Sequence, residues 1–300
     1  MYDIIIIGAG TAGMSAAIYG VRAGRSVLVL EEGLYGGQII NTPEIVNYPG
    51  IKNISGFEFA TTLYEQAIEL GAKIIFEGAK EILIQDETRI VVTDQSKYEA
   101  RAVIIATGAK NRKLELPNED ELLGKGVSYC ATCDGAFYRG KDVAVAGGGN
   151  TALEDAIFLT AYCNKVYIVH RRQEFRGEKK LLENLKKRDN VEFILDSVIS
   201  SLYAEDVLKS IQTKNQHTGM EQTIEVQGLF VAIGQDPQNF LFSDLIHTDD
   251  KGYIIAGEDC RTNVGGIFVA GDNRSKAVRQ LATAASDGAA AALGACEYLG

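Results

Sequence analysis

The chain has 300 residues, of which 46% are apolar and 23% charged, and its formal net charge at neutral pH is −10. This composition is typical of a globular protein of about two domains, and the acidic balance argues against nucleic acid as a partner. No apolar run reaches the length of about 18 residues that a membrane span needs. The five cysteines do not resemble a secreted disulfide framework, and the first residues lead straight into an apolar strand at Ile4–Ile7, so we expect a cytoplasmic protein.

An apolar strand, a glycine-rich turn and a helical pattern open the chain. The turn carries Gly8, Gly10 and Gly13, the spacing of a dinucleotide-binding fingerprint. Its glycines permit a tight turn, close approach of a pyrophosphate and close packing of helix on strand, and the phosphates would lie at the helix N-terminus. The next strand, 27–30, ends at Glu31, whose carboxylate would accept hydrogen bonds from a ribose and repel a 2′-phosphate. This first site therefore suits FAD or NAD.

Two cysteines, Cys130 and Cys133, directly precede a second unit of the same kind. A pair with this spacing either binds zinc or forms a reversible disulfide. A structural zinc site usually needs a second such pair, and the remaining cysteines and histidines are isolated, so we favour a redox dithiol and predict no metal. Asp134 adjoins the pair and would move protons, or else cap the turn.

The second fingerprint, Gly147–Ala152, differs from the first at the end of its second strand. That strand leads into His170, Arg171 and Arg172, with Arg176 close behind, and no carboxylate stands at its end. Because guanidinium groups match phosphate geometry, we predict that this site selects NADP(H) over NAD(H). The alternative is a solvated basic surface, which we prefer for the lysines that follow, and His170 could equally be a packed histidine.

The order of these patterns predicts an α/β fold of two Rossmann-like three-layer domains, the second inserted into the first. Residues 1–113 and 246–300 would form an FAD-binding domain, and residues 114–245 an NADPH-binding domain that carries the dithiol. A flavin is expected because NADPH delivers a hydride whereas disulfide exchange requires thiolates.

In these motifs and in their order, the chain resembles the low-molecular-weight bacterial thioredoxin reductases. The most specific likenesses are the run Cys130–Asp134 and the run from His170 to Arg176. The resemblance implies an FAD-containing homodimer that reduces thioredoxin with NADPH. It also implies that Cys133 faces the flavin, Cys130 attacks thioredoxin and Asp134 is the acid/base.

The motifs and the resemblance together predict two sets of cofactor contacts. The residues predicted to contact FAD are Gly8, Gly10, Ala12, Gly13, Glu31, Gly36, Gly37, Gln38, Asn47, Gly108, Asp272, Arg279, Gln280 and Leu281. The residues predicted to contact NADPH are Gly147, Gly149, Asn150, Thr151, His170, Arg171, Arg172, Arg176, Ile233 and Gly234.

Several other functions share part of this pattern. A ferredoxin-dependent flavin thioredoxin reductase would lack the second fingerprint and the arginine cluster, as would a relative that oxidises small dithiols with oxygen. A reductase of another thioredoxin- or glutaredoxin-like protein would show the same motifs. A nucleotide-sensing regulator without turnover would not need the dithiol.

Overall fold

The chain divides into two units, and the computed structural model describes all 300 residues. Unit 1 comprises Met1–Lys110 and Asp236–Gly300, and unit 2 comprises Asn111–Gln235. The chain thus leaves unit 1 after Lys110 and returns to it after Gln235, whereas the limits expected from the sequence were 113 and 245.

Helices and strands alternate along much of the chain in both units. The first segment contains β1 (Tyr2–Ile7), α1 (Thr11–Arg22), β2 (Val27–Leu30), α2 (Gly56–Glu69), β3 (Lys73–Ile75), β4 (Ala79–Gln85), β5 (Thr88–Thr93), β6 (Lys97–Ile105) and β7 (Ala109–Asn111). The inserted segment contains β8 (Val127–Ser128), α3 (Ala131–Asp134), β9 (Asp142–Ala146), α4 (Asn150–Leu159), β10 (Lys165–Val169), α5 (Lys179–Leu185), β11 (Val191–Ile194), β12 (Ser197–Ala204), β13 (Leu208–Asn215), β14 (Glu221–Glu225) and β15 (Gly228–Val231). The last segment contains β16 (Gln235–Pro237), β17 (Ile267–Val269) and α6 (Leu281–Leu299). None of these helices combines the length and the apolar character that crossing a bilayer would require.

Unit 1 is built on a sheet whose central strand, β1, is apolar and buried from Ile4 to Ile7. β2 and β6 flank β1 in parallel, β3 lies beyond β2, and β17 pairs in parallel with β6. Helices α1, α2 and α6 contribute to the apolar cluster on one face, and the β4–β5 hairpin contributes to the cluster on the other. Burial on both faces explains why Ile4, Ile5 and Ile6 are all fully buried.

Unit 2 repeats this plan with a five-stranded parallel sheet in the order β11-β10-β9-β15-β8. Helices α4 and α5 pack on one face, and the antiparallel sheet β12-β13-β14 packs on the other. The fold is therefore the predicted pair of Rossmann-like α/β units.

The strand order identifies where each unit can bind a ligand. In unit 1 the direction of the connections reverses between β1 and β6, and in unit 2 it reverses between β9 and β15. Ligands of open parallel sheets bind at the carboxyl ends of the strands beside such a reversal. Each fingerprint turn lies at this point in its own unit.

Candidate functional site

The first fingerprint turn leaves the N-terminus of α1 open. Gly8 has a φ of +107°, which favours glycine. A Cβ on Gly13 would lie 1.9 Å from the Gly8 carbonyl oxygen, so helix and strand approach this closely only because residue 13 is glycine. Gly10 precedes α1 without a capping side chain, and a Cβ there would meet only the Gly36 oxygen, 4.0 Å away. This space in front of the helix suits a pyrophosphate. Ala12 is buried in the first turn of α1, next to this space.

Glu31 stands at the carboxyl end of β2, beside the fingerprint turn. Its Oε2 accepts a hydrogen bond from the Ala9 amide at 2.7 Å, and its Oε1 accepts one from the Gly33 amide at 2.9 Å. Each carboxylate oxygen retains acceptor capacity for a ribose hydroxyl. The Gly36 amide donates to the Ala9 oxygen at 2.8 Å, which brings the Gly36–Gly37 turn against the same fingerprint.

Asp272 follows β17 and presents a buried atom with no hydrogen-bond partner. Its Oδ1 is shielded from solvent and accepts no hydrogen bond, although Lys276 Nζ lies 3.5 Å away. Burial raises the pKa of Asp272, against the opposing charges of Lys276 and Arg279. Because buried polar atoms normally have partners, this carboxylate fits the hydroxyl groups of a flavin nucleotide. The open turn at Gly10 and the acceptor at Glu31 fit the same ligand.

The other residues predicted to contact FAD lie in unit 1 and are held by contacts within that unit. The Arg279 guanidinium lies 4.1 Å from the centre of the Tyr253 ring, and its Nε donates to the Asp272 backbone oxygen at 3.3 Å. Gln280 caps α6, whose first residue is Leu281. Asn47 Nδ2 donates to Gln280 Oε1 at 3.3 Å. Gln38 and Gly108 make contacts at the end of the first segment. The Gln38 side-chain amide donates to the Ala109 oxygen, and the Gly108 oxygen accepts from the Gln238 backbone amide at 3.0 Å.

The second fingerprint turn has the same open form in unit 2. Gly147 has a φ of +154°, and Gly149 precedes α4 without a capping side chain. A Cβ on Gly149 would meet no atom within 4 Å, so the space before the helix is free for phosphate. Thr151 is exposed in the first turn of α4.

An exposed loop carrying three arginines is fastened to this second turn. The amides of Arg176 and Gly177 both donate to the Gly148 oxygen, at 2.9 and 3.2 Å. Asn150 Oδ1 accepts from the Glu178 amide at 2.8 Å, which ties the end of the loop to the start of α4. Arg171, Arg172 and Arg176 are all exposed in this arrangement. A phosphate on the adenosine ribose would find guanidinium donors here.

His170, also predicted to contact NADPH, is buried rather than exposed. Its ring stacks on Phe175 at 4.8 Å between ring centres, and its Nε2 lies 3.1 Å from the Glu174 oxygen. A Cβ on Gly148 would lie within 2.6 Å of three atoms of the ring. Burial, aided by the charges of the three arginines, lowers the pKa of His170 and so favours the neutral ring. The structure therefore gives His170 a packing role beneath the arginine loop. Ile233 and Gly234 lie exposed beyond the carboxyl end of β15.

Cys130 and Cys133 are joined by a disulfide, with their Cα atoms 5.3 Å apart. Cys130 immediately precedes the short helix α3, and both the Cys133 and the Asp134 amides donate to its carbonyl oxygen. Both cysteines are partly exposed, and Thr132 Oγ1 lies 3.5 Å from the Cys130 sulfur. The pair is thus held by one helical turn and reachable from outside unit 2, as a redox dithiol must be.

Asp134 is held by Ser128, a residue that the sequence analysis missed. Ser128 Oγ donates to Asp134 Oδ2 at 2.7 Å and accepts from the Cys130 amide at 3.0 Å. Burial raises the pKa of Asp134, and the hydrogen bond from Ser128 opposes that rise. A carboxyl group with a raised pKa beside a dithiol is suited to donate and accept protons. The only sequence signal for Ser128 was its position two residues before Cys130.

The remaining cysteines are not part of this centre. Cys163 and Cys260 are buried and Cys296 is half-buried, all as free thiols. Burial raises the pKa of Cys163 to about 11 and that of Cys260 to about 12, so neither is a ready nucleophile. No group of three or more His, Cys, Asp or Glu side chains is arranged to hold a metal ion.

Comparison with known proteins finds relatives that match essentially the whole length of the chain. A protein of Clostridium pasteurianum, described as a 34.2 kDa protein in the rubredoxin operon, is 44% identical over 99% of this chain and 97% of its own length. The thioredoxin reductase of Listeria monocytogenes serovar 1/2a is 43% identical over 100% of this chain and 94% of its own. The crystal structure of thioredoxin reductase from Streptococcus pyogenes MGAS5005 matches with a TM-score of 0.95 at 43% identity, over 100% of this chain and 98% of that one. A family model described as pyridine nucleotide-disulphide oxidoreductase matches residues 2–289, and the chain therefore belongs to that family.

Proposed function

We propose that the protein is an NADPH-dependent thioredoxin reductase, in which electrons pass from NADPH through FAD and the Cys130–Cys133 pair to the disulfide of thioredoxin. The observation that carries this proposal is the disulfide itself, with Asp134 and Ser128 beside it. It lies in the same unit as an open fingerprint turn and an arginine loop. The full-length similarity to thioredoxin reductases supports the same activity.

Family membership implies that the chain binds a flavin and a pyridine nucleotide. We assign FAD to unit 1 and NADPH to unit 2. Glu31 and Asp272 would accept hydrogen bonds from FAD hydroxyls, and Gly10 would leave room for its pyrophosphate. Arg171 and its neighbours would bind the 2′-phosphate, with Gly149 beside the NADPH pyrophosphate. When bound, the flavin supplies the step that turns a hydride from NADPH into two electrons for the disulfide.

The dithiol chemistry uses the cysteine roles that the resemblance implies. Two electrons and two protons open the Cys130–Cys133 bond to a dithiol. The Cys130 thiolate then attacks the thioredoxin disulfide, forms a mixed disulfide and releases one thioredoxin thiol. Attack by the Cys133 thiolate on the Cys130 sulfur restores the internal bond and releases the second thiol. Asp134 holds or returns the proton during these steps, and Ser128 fixes its carboxyl group.

We assign the roles of the two cysteines, a homodimeric state and a cytoplasmic location on the resemblance alone. A ferredoxin-dependent reductase is not favoured, because the second fingerprint turn and its arginine loop are both present. A thioredoxin-like or glutaredoxin-like protein other than thioredoxin would use the same dithiol, and it is the alternative to compare.

The purified holoenzyme tests this proposal through its substrates. We expect NADPH-driven reduction of thioredoxin to exceed the rate with NADH, and Cys130→Ser and Cys133→Ser to abolish it while NADPH still bleaches the flavin absorbance. Cys163→Ser, which removes a buried thiol outside the centre, is the matched control and should keep most of the activity. Full thioredoxin reduction by either Ser variant at position 130 or 133 would refute the proposal, and faster reduction of glutaredoxin would identify the alternative partner.

A further inference from the structure

A buried ionic cluster lies behind the predicted flavin contact Asp272. It consists of Arg274, Lys276 and Asp287, whose side chains are only 4%, 5% and 6% exposed. Arg274 binds both oxygens of Asp287, with Nη2 at 2.8 Å from Oδ1 and Nε at 2.9 Å from Oδ2. Lys276 Nζ donates to Asp287 Oδ2 at 2.9 Å. Asp287 lies on α6.

This cluster reaches Asp272 by two routes. Through the backbone, the Gly271 amide donates to Asp287 Oδ2 at 3.0 Å, which fixes the residue immediately before Asp272. Through the side chain, Lys276 Nζ lies 3.5 Å from Asp272 Oδ1, the oxygen that accepts no hydrogen bond. A lysine ammonium has three donors. Lys276 donates to Asp287 and, at 3.4 Å, to Thr283 Oγ1, and its charge pairs with Asp272 at the longer distance of 3.5 Å.

We propose that Lys276, held in place by Asp287, is a positioning residue that orients the Asp272 carboxylate to receive the hydroxyl groups of the flavin nucleotide. The proposal deepens the proposed function, because it rests on FAD binding in unit 1. Lys276 itself does not contact the ligand; it acts through Asp272.

The charges around Asp272 explain why a lysine is needed at this place. The groups that act on this carboxylate are Lys276 and Arg279, which favour its ionised form, and Asp287, which disfavours it. Tyr253 faces the same region. Burial alone raises the pKa of Asp272, so loss of Lys276 would raise it further and leave a larger protonated fraction. A protonated carboxyl group has fewer acceptor sites for ligand hydroxyls.

A double-mutant cycle on FAD affinity tests this role. The dissociation constant of FAD from apoprotein would be measured by flavin fluorescence for Lys276→Met, Asp272→Asn and the double variant. We expect each single change to weaken binding about tenfold or more, as loss of a charge-assisted contact does. The double variant should bind no more weakly than Asp272→Asn alone, since Lys276 acts through Asp272. FAD affinity of Lys276→Met should also fall as pH is lowered from 8 to 6, more steeply than that of the wild type.

Two controls separate this proposal from damage to the fold and from failure of the proposed function. Lys80→Met removes two exposed ion pairs in the same unit, with Glu32 and Asp94, and should leave FAD affinity unchanged. NADPH affinity, which reports on unit 2, should be unchanged in all variants, and Lys276→Gln replaces Lys276→Met if the latter does not fold. Wild-type FAD affinity in the lysine variant, or additive losses in the double variant, would overturn the proposal while FAD binding by the wild type still stood. A wild type that binds no flavin would instead overturn the proposed function.

Discussion

Ser128 is the residue that determines how Asp134 is presented to the dithiol. Its hydroxyl group donates a hydrogen bond to Asp134 Oδ2 and accepts one from the Cys130 backbone amide. A single side chain therefore positions both Asp134 and Cys130. Ser128 lies on β8, a strand of the parallel sheet of unit 2, which gives it a rigid base. The proton-transfer group therefore has a fixed geometry while the cysteines remain partly exposed.

Substitution of these residues should change activity in distinguishable ways. Asp134→Asn should lower the rate of thioredoxin reduction by about a hundredfold, since a positioned acid/base contributes a rate factor of about 10²–10⁴.

Ser128→Ala removes the hydrogen bond that lowers the pKa of Asp134, so this pKa should rise. Because Asp134 donates its proton only when protonated, the alkaline limb of the pH–rate profile should move to higher pH.

Single-turnover reduction of thioredoxin across the pH range measures both effects. Ser243→Ala removes an exposed hydroxyl group in unit 1 and should leave the profile unchanged. If Ser128→Ala leaves the limb in place, or moves it to lower pH, the hydrogen bond does not have the role assigned to it.

The two fingerprint turns are equivalent elements with different neighbours. Gly10 and Gly149 occupy the same position before α1 and α4, and each faces open space. The first turn is bordered by Glu31, whose carboxylate accepts a hydrogen bond from the Ala9 amide. The second is bordered by the arginine loop, which hydrogen-bonds to Gly148. The difference between the sites therefore lies in the loops beyond the second strand of each unit, not in the turns.

A methyl group added to either turn should affect only one cofactor. Gly10→Ala should weaken FAD binding and leave NADPH binding unchanged, and Gly149→Ala should do the reverse. The added methyl would occupy the space of a pyrophosphate, and overpacking of about 1–3 kcal/mol corresponds to a loss of affinity of about fivefold to about a hundredfold. Both backbones have negative φ, so the apoprotein should fold normally.

Equilibrium binding of each nucleotide to each variant provides the measurement. Gly148→Ala is the contrasting variant, because its Cβ would collide with the His170 ring and should lower the stability of unit 2 as well. An effect of Gly149→Ala on FAD, or of Gly10→Ala on NADPH, would contradict the assignment of cofactors to units.

At the scale of the whole molecule, local patterns predicted the fold because each fingerprint is contiguous in sequence. The strand expected at 27–30 is β2, and the second fingerprint, Gly147–Ala152, leads into α4, which begins at Asn150. The glycine spacing of each fingerprint reflects contacts between residues that are close in sequence, such as Gly13 against Gly8. Such local constraints are visible in sequence. The antiparallel sheet β12-β13-β14 was not predicted, because it is specified by pairing between strands rather than by a motif.

The supporting contacts of the site could not be predicted for a similar reason. Asp287 approaches Gly271 only because α6 folds back against the end of β17. The burial of His170 depends on Gly148, which lies in another loop of unit 2. These contacts join residues that carry no shared pattern in the sequence, so only the tertiary structure reveals them.

The central claim is that electrons from NADPH pass through a flavin to the Cys130–Cys133 disulfide. Anaerobic titration of the oxidised holoenzyme with NADPH, followed by flavin absorbance and by thiol counting, tests it most directly. We expect each chain to take up about two equivalents of NADPH, one for the flavin and one for the disulfide, and to gain two thiols. In Cys130→Ser the flavin should still bleach, with only about one equivalent consumed. A wild-type holoenzyme whose flavin does not bleach with NADPH, or that bleaches without gaining thiols at Cys130 and Cys133, would contradict this route.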